Sequence, residues 1–360
     1  MPREKKHIGL LGWVARVLMA ASAVLLLLSY LSEFVNPAKA WYMAVLGLLY
    51  VPLALLNLFL LCWAVARWSR AVLIPLIALL PSFFFVGRYV QFRAPDPEPG
   101  PAVSMVSYNV GRFAAASRRL GLKDPAVCAD SVVSFLRKAD ADVICLQEFY
   151  MRDMSRVRGY LQRSFPGYDV EYFLYPTDNG CYGNVILSRL PCSGKGKIDF
   201  DGSSNLAVWG DYSVGGKRIR IYNCHLESYN ISLTRAAKSL AGNYKEAVRN
   251  TEEKMRASIL RRPAQVDRLM SDMEACPLAC IVAGDFNDNP LSYTYRRLCS
   301  GRLDTFVEAG KGFGATYRGL WPLLRIDYIL HPEEYPARKH EILRKRYSDH
   351  FPVRTELKLP

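Results

Sequence analysis

The segment Ile281–Pro290, with the sequence IVAGDFNDNP, carries residue types and spacing that suit chemistry. Three apolar residues lead through a glycine to Asp285 and Asn287, which predicts a buried strand that ends in a turn. Side chains two positions apart on a strand point the same way. The carboxylate could accept a proton or bind a metal, and the amide could donate to an anionic oxygen. A solvated Asp/Asn turn is the commoner origin of such a pair.

Other apolar segments of the chain also end in polar side chains. The polar residues at or beside these predicted strand ends are Asn109, Glu148, Asn184, Arg189, His225, Asp327, Asp349 and His350. Each has an ordinary structural explanation as a turn former, a rim salt bridge or a hydrogen-bonded histidine. A carboxylate at the end of an apolar strand is nevertheless costly unless it is paired, hydrated or bound to metal. The repetition of the pattern favours a shared site.

Strand-like and helix-like segments alternate after residue 101. Pro125–Lys138 and most of Leu233–Glu274 have helical patterns, and the strand-like segments lie between them. This alternation predicts an α/β domain with its site at one edge of the sheets. The second helical interval is basic, which indicates a solvated helix face or a stripe that faces phosphate. Its basic residues include Lys254, Arg256, Arg261, Arg262 and Arg268.

Length and charge limit the possibilities without naming a substrate. The 360 residues suffice for one domain of about 250 residues with an appendage. The formal charge is +14, of which residues 1–95 contribute nine Lys/Arg and two Asp/Glu, leaving 38 − 31 = +7 for the remainder. A mildly basic domain suits phosphodiesters, nucleic acid or anionic lipid, and equally an ordinary solvated surface. The nine cysteines show no zinc-ligand spacing and leave the redox compartment open.

The N-terminal quarter holds three long apolar stretches, at about 8–35, 40–66 and 71–92. Each reaches the roughly 20 residues needed to cross a hydrocarbon core, so residues 1–94 are predicted to be a membrane anchor with three transmembrane helices. The alternative for the first stretch is a signal peptide. Its apolar region is longer than usual for one, and two further apolar stretches follow.

Basic residues predict the orientation of this anchor. The N-terminal tail carries Arg3, Lys5 and Lys6, and the second loop carries Arg67 and Arg70, which places both in the cytoplasm. Three crossings then put the rest of the chain outside the cytoplasm, at a multi-pass cell membrane.

A proline-rich stretch separates this anchor from the rest of the chain. Residues 95–101 (PDPEPGP) read as a stiff linker between the anchor and a domain at 102–360.

Six short motifs, taken in order, resemble those of the endonuclease/exonuclease/phosphatase superfamily. They are YN at 108–109, LQE at 146–148, NCHLES at 223–228, GDFN at 284–287, RIDYI at 325–329 and SDH at 348–350. The superfamily includes DNase I-like nucleases, abasic-site endonucleases, inositol polyphosphate 5-phosphatases and neutral sphingomyelinases. The resemblance covers about residues 102–358 and implies a four-layer α/β sandwich of two mixed sheets flanked by helices.

The resemblance also implies a metal site and its ligands. Glu148 resembles the principal ligand of a Mg²⁺ ion, or of Mn²⁺, and Asn109 resembles a helper at the metal and the phosphate. Asp349 resembles a further carboxylate near the metal. These oxygen donors are of the kind that hard divalent cations prefer.

The remaining motif residues are implied to act on a phosphate ester. His225 resembles the histidine that contacts the scissile phosphate. Asp285 resembles the residue that orients or deprotonates water, and Asn287 the donor that holds a phosphoryl oxygen. Asp327 is expected to pair with His350 and to fix its tautomer and charge.

The resulting expectation is a membrane-anchored, divalent-metal-dependent phosphoesterase. Its substrate would be nucleic acid, a phospholipid or a phosphorylated small molecule, with Asn184 and Arg189 as predicted substrate contacts; no protein partner can be inferred. Gly111 stands where abasic-site endonucleases have a carboxylate, which argues against DNA repair. The alternative is a non-catalytic, membrane-bound binding domain on the same fold.

Overall fold

The computed structural model describes residues 9–92, 99–114, 125–229, 244–320 and 322–360. The chain forms two compact units. One comprises the chain up to Gly87 with Leu291–Tyr293, and the other comprises Arg88–Pro290 with Thr294–Pro360. Most of the expected linker at 95–101, and the basic N-terminal tail, lie outside the described residues.

The first unit is helical. Its α-helices are α1 (Leu10–Tyr30), α2 (Trp41–Leu48), α3 (Tyr50–Ala66) and α4 (Leu73–Leu79). Short 3-10 turns occur at Leu31–Glu33, Arg70–Val72, Leu80–Phe84 and Val86–Arg88. The buried amide of Asn57 in α3 donates to the carbonyl of Ser22 in α1 at 3.1 Å, which joins these two helices.

The expectation of three membrane-spanning helices requires correction. One helix, Gly12–Glu33, is by itself long and apolar enough, with 22 residues and a mean hydropathy of 2.1. Helices α2 and α3 reach the required length only together, and they are bent by 54°. The third stretch, Arg70–Phe84, is shorter, and Pro75 and Pro81 each remove a backbone donor from it. The described residues thus offer one span, or two if the bent pair is a single span.

The second unit contains the remaining elements. Its strands are β1 (Val90–Gln91), β2 (Ala102–Asn109), β3 (Val143–Met151), β4 (Asp169–Thr177), β5 (Gly180–Ser188), β6 (Cys192–Asp199), β7 (Leu206–Val214), β8 (Lys217–His225), β9 (Ala279–Asp285), β10 (Leu303–Asp304), β11 (Gly312–Phe313), β12 (Asp327–His331), β13 (Ala337–Ile342) and β14 (Val353–Lys358). Its α-helices are α5 (Pro125–Ala139), α6 (Val157–Ser164), α7 (Tyr244–Ala275), α8 (Tyr293–Leu298) and α9 (Thr305–Ala309). Short 3-10 turns occur at Gly111–Phe113, Met154–Arg156 and Arg318–Leu320.

Two six-stranded sheets organise this unit. The first has the order β13-β14-β2-β3-β5-β4, and the second has the order β10-β12-β9-β8-β7-β6. Strands β2 and β3 are parallel, as are β8 and β9, whereas the other neighbours in each sheet are antiparallel. Both sheets are therefore mixed.

The apolar residues form three layers of core, as a four-layer sandwich requires. One core lies between the sheets, where Met105 and Cys145 of the first meet Ile221 and Ile281 of the second. A second core packs α5 and α6 against the first sheet. A third packs α7 against the second sheet. The predicted α/β sandwich with two mixed sheets is confirmed.

The predicted helices are present, but one prediction about their surface is wrong. Arg262 in α7 is not on a solvated face, because it is 2% exposed and its Nη1 lies 2.9 Å from Asp288 Oδ2. Its Nε and Nη2 donate to the carbonyl of Glu227 at 2.9 and 2.8 Å. The arginine thus holds a loop beside the second sheet. Residues 230–243, within the predicted helical interval, lie outside the described part.

His340 in β13 gives the unit a pH-dependent stability. It is buried, and its Nδ1 lies 2.8 Å from Thr305 Oγ1. Burial, together with the charge of Arg325, lowers the pKa of His340 to about 3 from its ordinary value of 6.5. Between these values the unfolded chain binds a proton at this residue that the folded chain does not. Folding stability should therefore fall as the pH falls, by up to about 1.4 kcal/mol per pH unit.

We predict that His340→Gln flattens this dependence, because glutamine does not titrate. The free energy of unfolding of both proteins, measured by urea denaturation between about pH 7 and pH 4, checks the prediction. The difference between wild type and variant should shift steadily in favour of the variant on acidification. Parallel curves for the two proteins would contradict it.

Candidate active site

Four strands from the two sheets end at one place. The parallel strands β2 and β3 carry Asn109 and Glu148 at or near their carboxyl ends. The parallel strands β8 and β9 end in His225 and Asp285, which are opposite each other in the register. Parallel strands bring their carboxyl ends to the same sheet edge, so residues distant in sequence meet there.

Asp285 lies at the centre of the cluster. It is 1% exposed, and its Oδ2 accepts a hydrogen bond from Asn109 Nδ2 at 2.8 Å. Its Oδ1 accepts one from the backbone N–H of Asn287 at 2.9 Å. The Nε2 atoms of His350 and His225 lie 3.7 and 3.9 Å from Oδ2. Two amide donors and two imidazoles therefore surround one carboxylate.

His350 lies between two carboxylates. Its Nδ1 is 3.0 and 3.2 Å from the oxygens of Asp327, the partner that the resemblance implies, and Asp285 lies on its Nε2 side. Burial alone would lower the pKa of His350, but the charges of Asp327 and Asp285 outweigh it and raise the pKa to about 10. The two flanking carboxylates therefore favour the imidazolium form of His350.

The pKa of Asp285 is shifted towards neutral pH. Burial, with a contribution from Asp327, raises its pKa to about 6, although His350 and His225 act in the opposite direction. A buried carboxylate with such a pKa holds protons more readily than an exposed one. It is suited to proton exchange with a bound water.

Glu148 is a half-buried carboxylate with loose contacts. Its nearest polar neighbours among the described residues are Asn109 Nδ2 at 3.4 Å, Arg112 Nε at 3.6 Å and His225 Nε2 at 3.7 Å. Its backbone has a φ of 50°, a left-handed conformation that costs a non-glycine residue about 1–2 kcal/mol. A carboxylate fixed in this way, with long contacts to its neighbours, suits a hard cation.

Two groups of ligands could hold a divalent metal. Asp285, Asp327 and His350 offer ligand atoms within 4.8 Å of one another, and both ring nitrogens of His350 face carboxylates. Glu148 lies beside the amide of Asn109, and Asp349 is the further carboxylate that the resemblance implies. Oxygen donors of this kind suit Mg²⁺ or Mn²⁺.

Three predicted residues have other surroundings than expected. The amide of Asn184 is buried between the sheets and donates to the carbonyls of Leu206 and Asn223 at 3.1 and 3.0 Å. Arg189 directly follows β5, and the end of β5 pairs with the start of β3. This end of the sheet is opposite the end that carries Glu148. The Nη2 of Arg189 lies 2.5 Å from Asp140 Oδ1. It is therefore not brought to the cluster.

The third of these residues, Asn287, can still donate one of its two amide hydrogens to a phosphoryl oxygen. It lies at the cluster, but its Nδ2 donates to the carbonyl of Leu226 at 2.9 Å. One amide hydrogen remains for a ligand.

The sequence reasoning missed two features of this site. Gln147 Nε2 donates to Asn223 Oδ1 at 2.7 Å, which ties the sheets together beneath the cluster. Arg112 brings a cation beside Glu148, with its guanidinium 3.9 Å from the ring centre of Tyr182. The sequence signals for these two features are the amide residue Gln147, directly before Glu148, and the basic residue Arg112, three positions after Asn109.

We predict that Glu148→Gln weakens the binding of Mn²⁺ or Mg²⁺ by roughly tenfold or more, because it removes the loosely held charge. Calorimetric titration of the full-length protein in detergent with either ion measures the effect without requiring turnover. Glu171→Gln is the matched control, because Glu171 pairs with Lys195 on an outer strand. Equal affinity in the Glu148 variant and the wild type would contradict the assignment.

Comparisons with known proteins agree with this fold. Residues 106–350 match the sequence model of the Endonuclease/Exonuclease/phosphatase family, and residues 11–89 match a domain of unknown function, DUF8431. The comparison with curated proteins gives no match.

Several solved structures share the fold. An endonuclease/exonuclease/phosphatase family protein from Bacteroides thetaiotaomicron is 18% identical, with a TM-score of 0.53 over 73% of this chain and 100% of that one. The human Nocturnin catalytic domain with bound sulfate anion is 17% identical, with a TM-score of 0.52 over 72% and 94%. TDP2 of D. rerio, humanised by 14 mutations, is 17% identical, with a TM-score of 0.50 over 71% and 99%. The family match spans more than half of the chain, so the chain belongs to the endonuclease/exonuclease/phosphatase family and is a hydrolase of phosphate esters.

Proposed function

We propose that this protein hydrolyses a phosphodiester or phosphomonoester by metal-assisted attack of water, from a position anchored at a membrane. The observation that carries the catalytic part is the single cluster in which Asp285 contacts two amide donors and faces two imidazoles. Such a cluster combines a proton acceptor with positive charge and hydrogen-bond donors for a phosphate.

The side chains divide the work of the reaction. The amide of Asn109 and the backbone N–H of Asn287 fix the orientation of Asp285, which takes a proton from the attacking water. The imidazolium of His350, held by Asp327, faces the same point and stabilises negative charge on the phosphoryl oxygens. A divalent cation held by Glu148, with Asn109 and Asp349, would neutralise the phosphate and stabilise the leaving oxygen.

The alternative that the sequence left open is a non-catalytic binding domain on the same fold. It would require neither a proton acceptor with a raised pKa nor a paired imidazolium. All seven motif positions keep chemically competent residues: Asn109, Glu148, His225, Asp285, Asn287, Asp327 and His350. This favours catalysis.

We predict that Asp285→Asn and His350→Gln each lower kcat by roughly 10²- to 10⁴-fold, the usual effect of removing a positioned acid or base. The full-length protein would be assayed with Mg²⁺, and with EDTA as control. The panel is bis-p-nitrophenyl phosphate, single- and double-stranded DNA, sphingomyelin and an inositol polyphosphate. The exposed Asp201→Asn variant is the matched control. Full activity in either site variant would refute the assigned roles.

Exposed apolar side chains support the membrane part of the proposal. Helix α1 exposes Leu18 and Val24 by 56% and 54%, and α3 exposes Leu55 and Phe59 by 54% and 66%. Contiguous apolar surface of this kind is unfavourable in water and suits contact with lipid. If the N-terminal tail lies in the cytoplasm, an odd number of crossings puts the catalytic unit outside the cytoplasm. Two crossings would instead leave the catalytic unit in the cytoplasm.

We predict that a cysteine introduced by Asp201→Cys, in an exposed turn of the catalytic unit, reacts with a membrane-impermeant maleimide in intact cells. Labelling of the wild-type protein gives the background from the native cysteines. Labelling only after cell lysis would place the catalytic unit in the cytoplasm and favour two crossings.

A further inference from the structure

A basic cleft lies directly beside the candidate active site. It has a volume of about 490 Å³, and it is lined by Arg318, Arg344, Arg346 and Phe351. Volumes of this order are typical of pockets for small ligands. The catalytic roles proposed above use none of its three arginines.

The cleft and the catalytic histidine share their supports. Arg344 and Arg346 lie in the loop between β13 and β14, which also carries His350 and which is closed by the bond from Leu343 N to Pro352 O at 2.8 Å. On the other wall, the residue before Arg318 pairs with His350 in a β-bridge. The N–H of Arg318 donates to the carbonyl of Asp349 at 2.7 Å. A ligand held at His350 would therefore extend readily into the cleft.

Two of the cleft arginines, Arg318 and Arg346, present charges that could meet an anion. Arg318 and Arg346 are exposed, and neither forms an ion pair with a carboxylate in the described part of the chain. Neighbouring cations repel one another unless an anion lies between them. Guanidinium groups bind phosphate through two parallel hydrogen bonds, which makes them suited to a phosphorylated ligand.

We propose that this cleft is a subsite for a second phosphate of the substrate, so that the enzyme prefers a compact, multiply phosphorylated molecule or headgroup. The proposal rests on the proposed phosphoesterase function. The scissile phosphate lies at Asp285 and His350, while the additional phosphate contacts Arg318 and Arg346. The size of the cleft favours a compact group over a nucleic-acid strand, which would require a longer row of cations.

The test compares the double variant Arg318→Ala/Arg346→Ala with the control Lys217→Ala/Arg218→Ala. The control also loses two positive charges, but it loses them at the start of β8, which is the end of the strand opposite His225. Full-length protein in detergent is assayed with bis-p-nitrophenyl phosphate, a soluble inositol polyphosphate, phosphatidylcholine vesicles that contain a phosphoinositide, and single-stranded DNA.

The expected result is a selective loss. The ratio of kcat/KM for the multiply phosphorylated probes to that for bis-p-nitrophenyl phosphate should fall roughly ten- to hundredfold in the cleft variant and stay unchanged in the control. Activity on the soluble probe identifies a free compound, and activity only on vesicles identifies a lipid headgroup. Equal losses for all substrates, an equal loss in the control, or a preference for DNA would overturn the proposal.

A binding measurement separates this proposal from the catalytic one. Calorimetric titration with the inositol polyphosphate in EDTA should show binding that persists in Asp285→Asn and is lost in the cleft variant. If wild type binds in this way but cleaves nothing, the proposed function fails and the subsite stands. If wild type cleaves but the cleft variant binds normally, the subsite fails alone.

Discussion

The buried pair of Gln147 and Asn223 fixes the two sheets relative to each other, and the active site depends on that relation. Asn223 accepts from Gln147 at 2.7 Å and donates to the carbonyls of Leu146 and Val185 at 2.9 and 2.8 Å. Both side chains are fully buried, so breaking one bond would cost about 1–3 kcal/mol. Apolar contacts between the sheets have no direction, whereas these bonds allow one register.

The catalytic residues follow these amides closely in the chain. Glu148 comes directly after Gln147, and His225 comes two residues after Asn223. The bonds that set the sheet register therefore also set the separation of the candidate metal ligand from the histidine. This connects the packing of the core to the chemistry at its edge, because a small displacement of one sheet would open the cluster.

Charge balance within the cluster explains why buried ionic groups are tolerated there. Asp327 and Asp285 flank the imidazolium of His350, and each removal of one partner would leave an uncompensated charge in a dry environment. The two carboxylates raise the pKa of His350, whereas burial raises the pKa of Asp285 against the opposing effect of the imidazole. The carboxylates that stabilise the imidazolium thus also place a buried proton acceptor, Asp285, beside a positive charge.

The sequence by itself determined an α/β domain and the residues that end its strands, because hydrophobic alternation and strand-end polarity are local properties. The sandwich of two mixed sheets was implied by the family resemblance. The same resemblance also identified Asp327 and His350 as a pair. Only the tertiary structure decided that Arg189 lies at the opposite sheet end, that Arg262 is buried, and that the apolar stretches beyond α1 form bent or shortened helices. These outcomes depend on strand register, helix packing and proline positions in three dimensions, which no local pattern encodes.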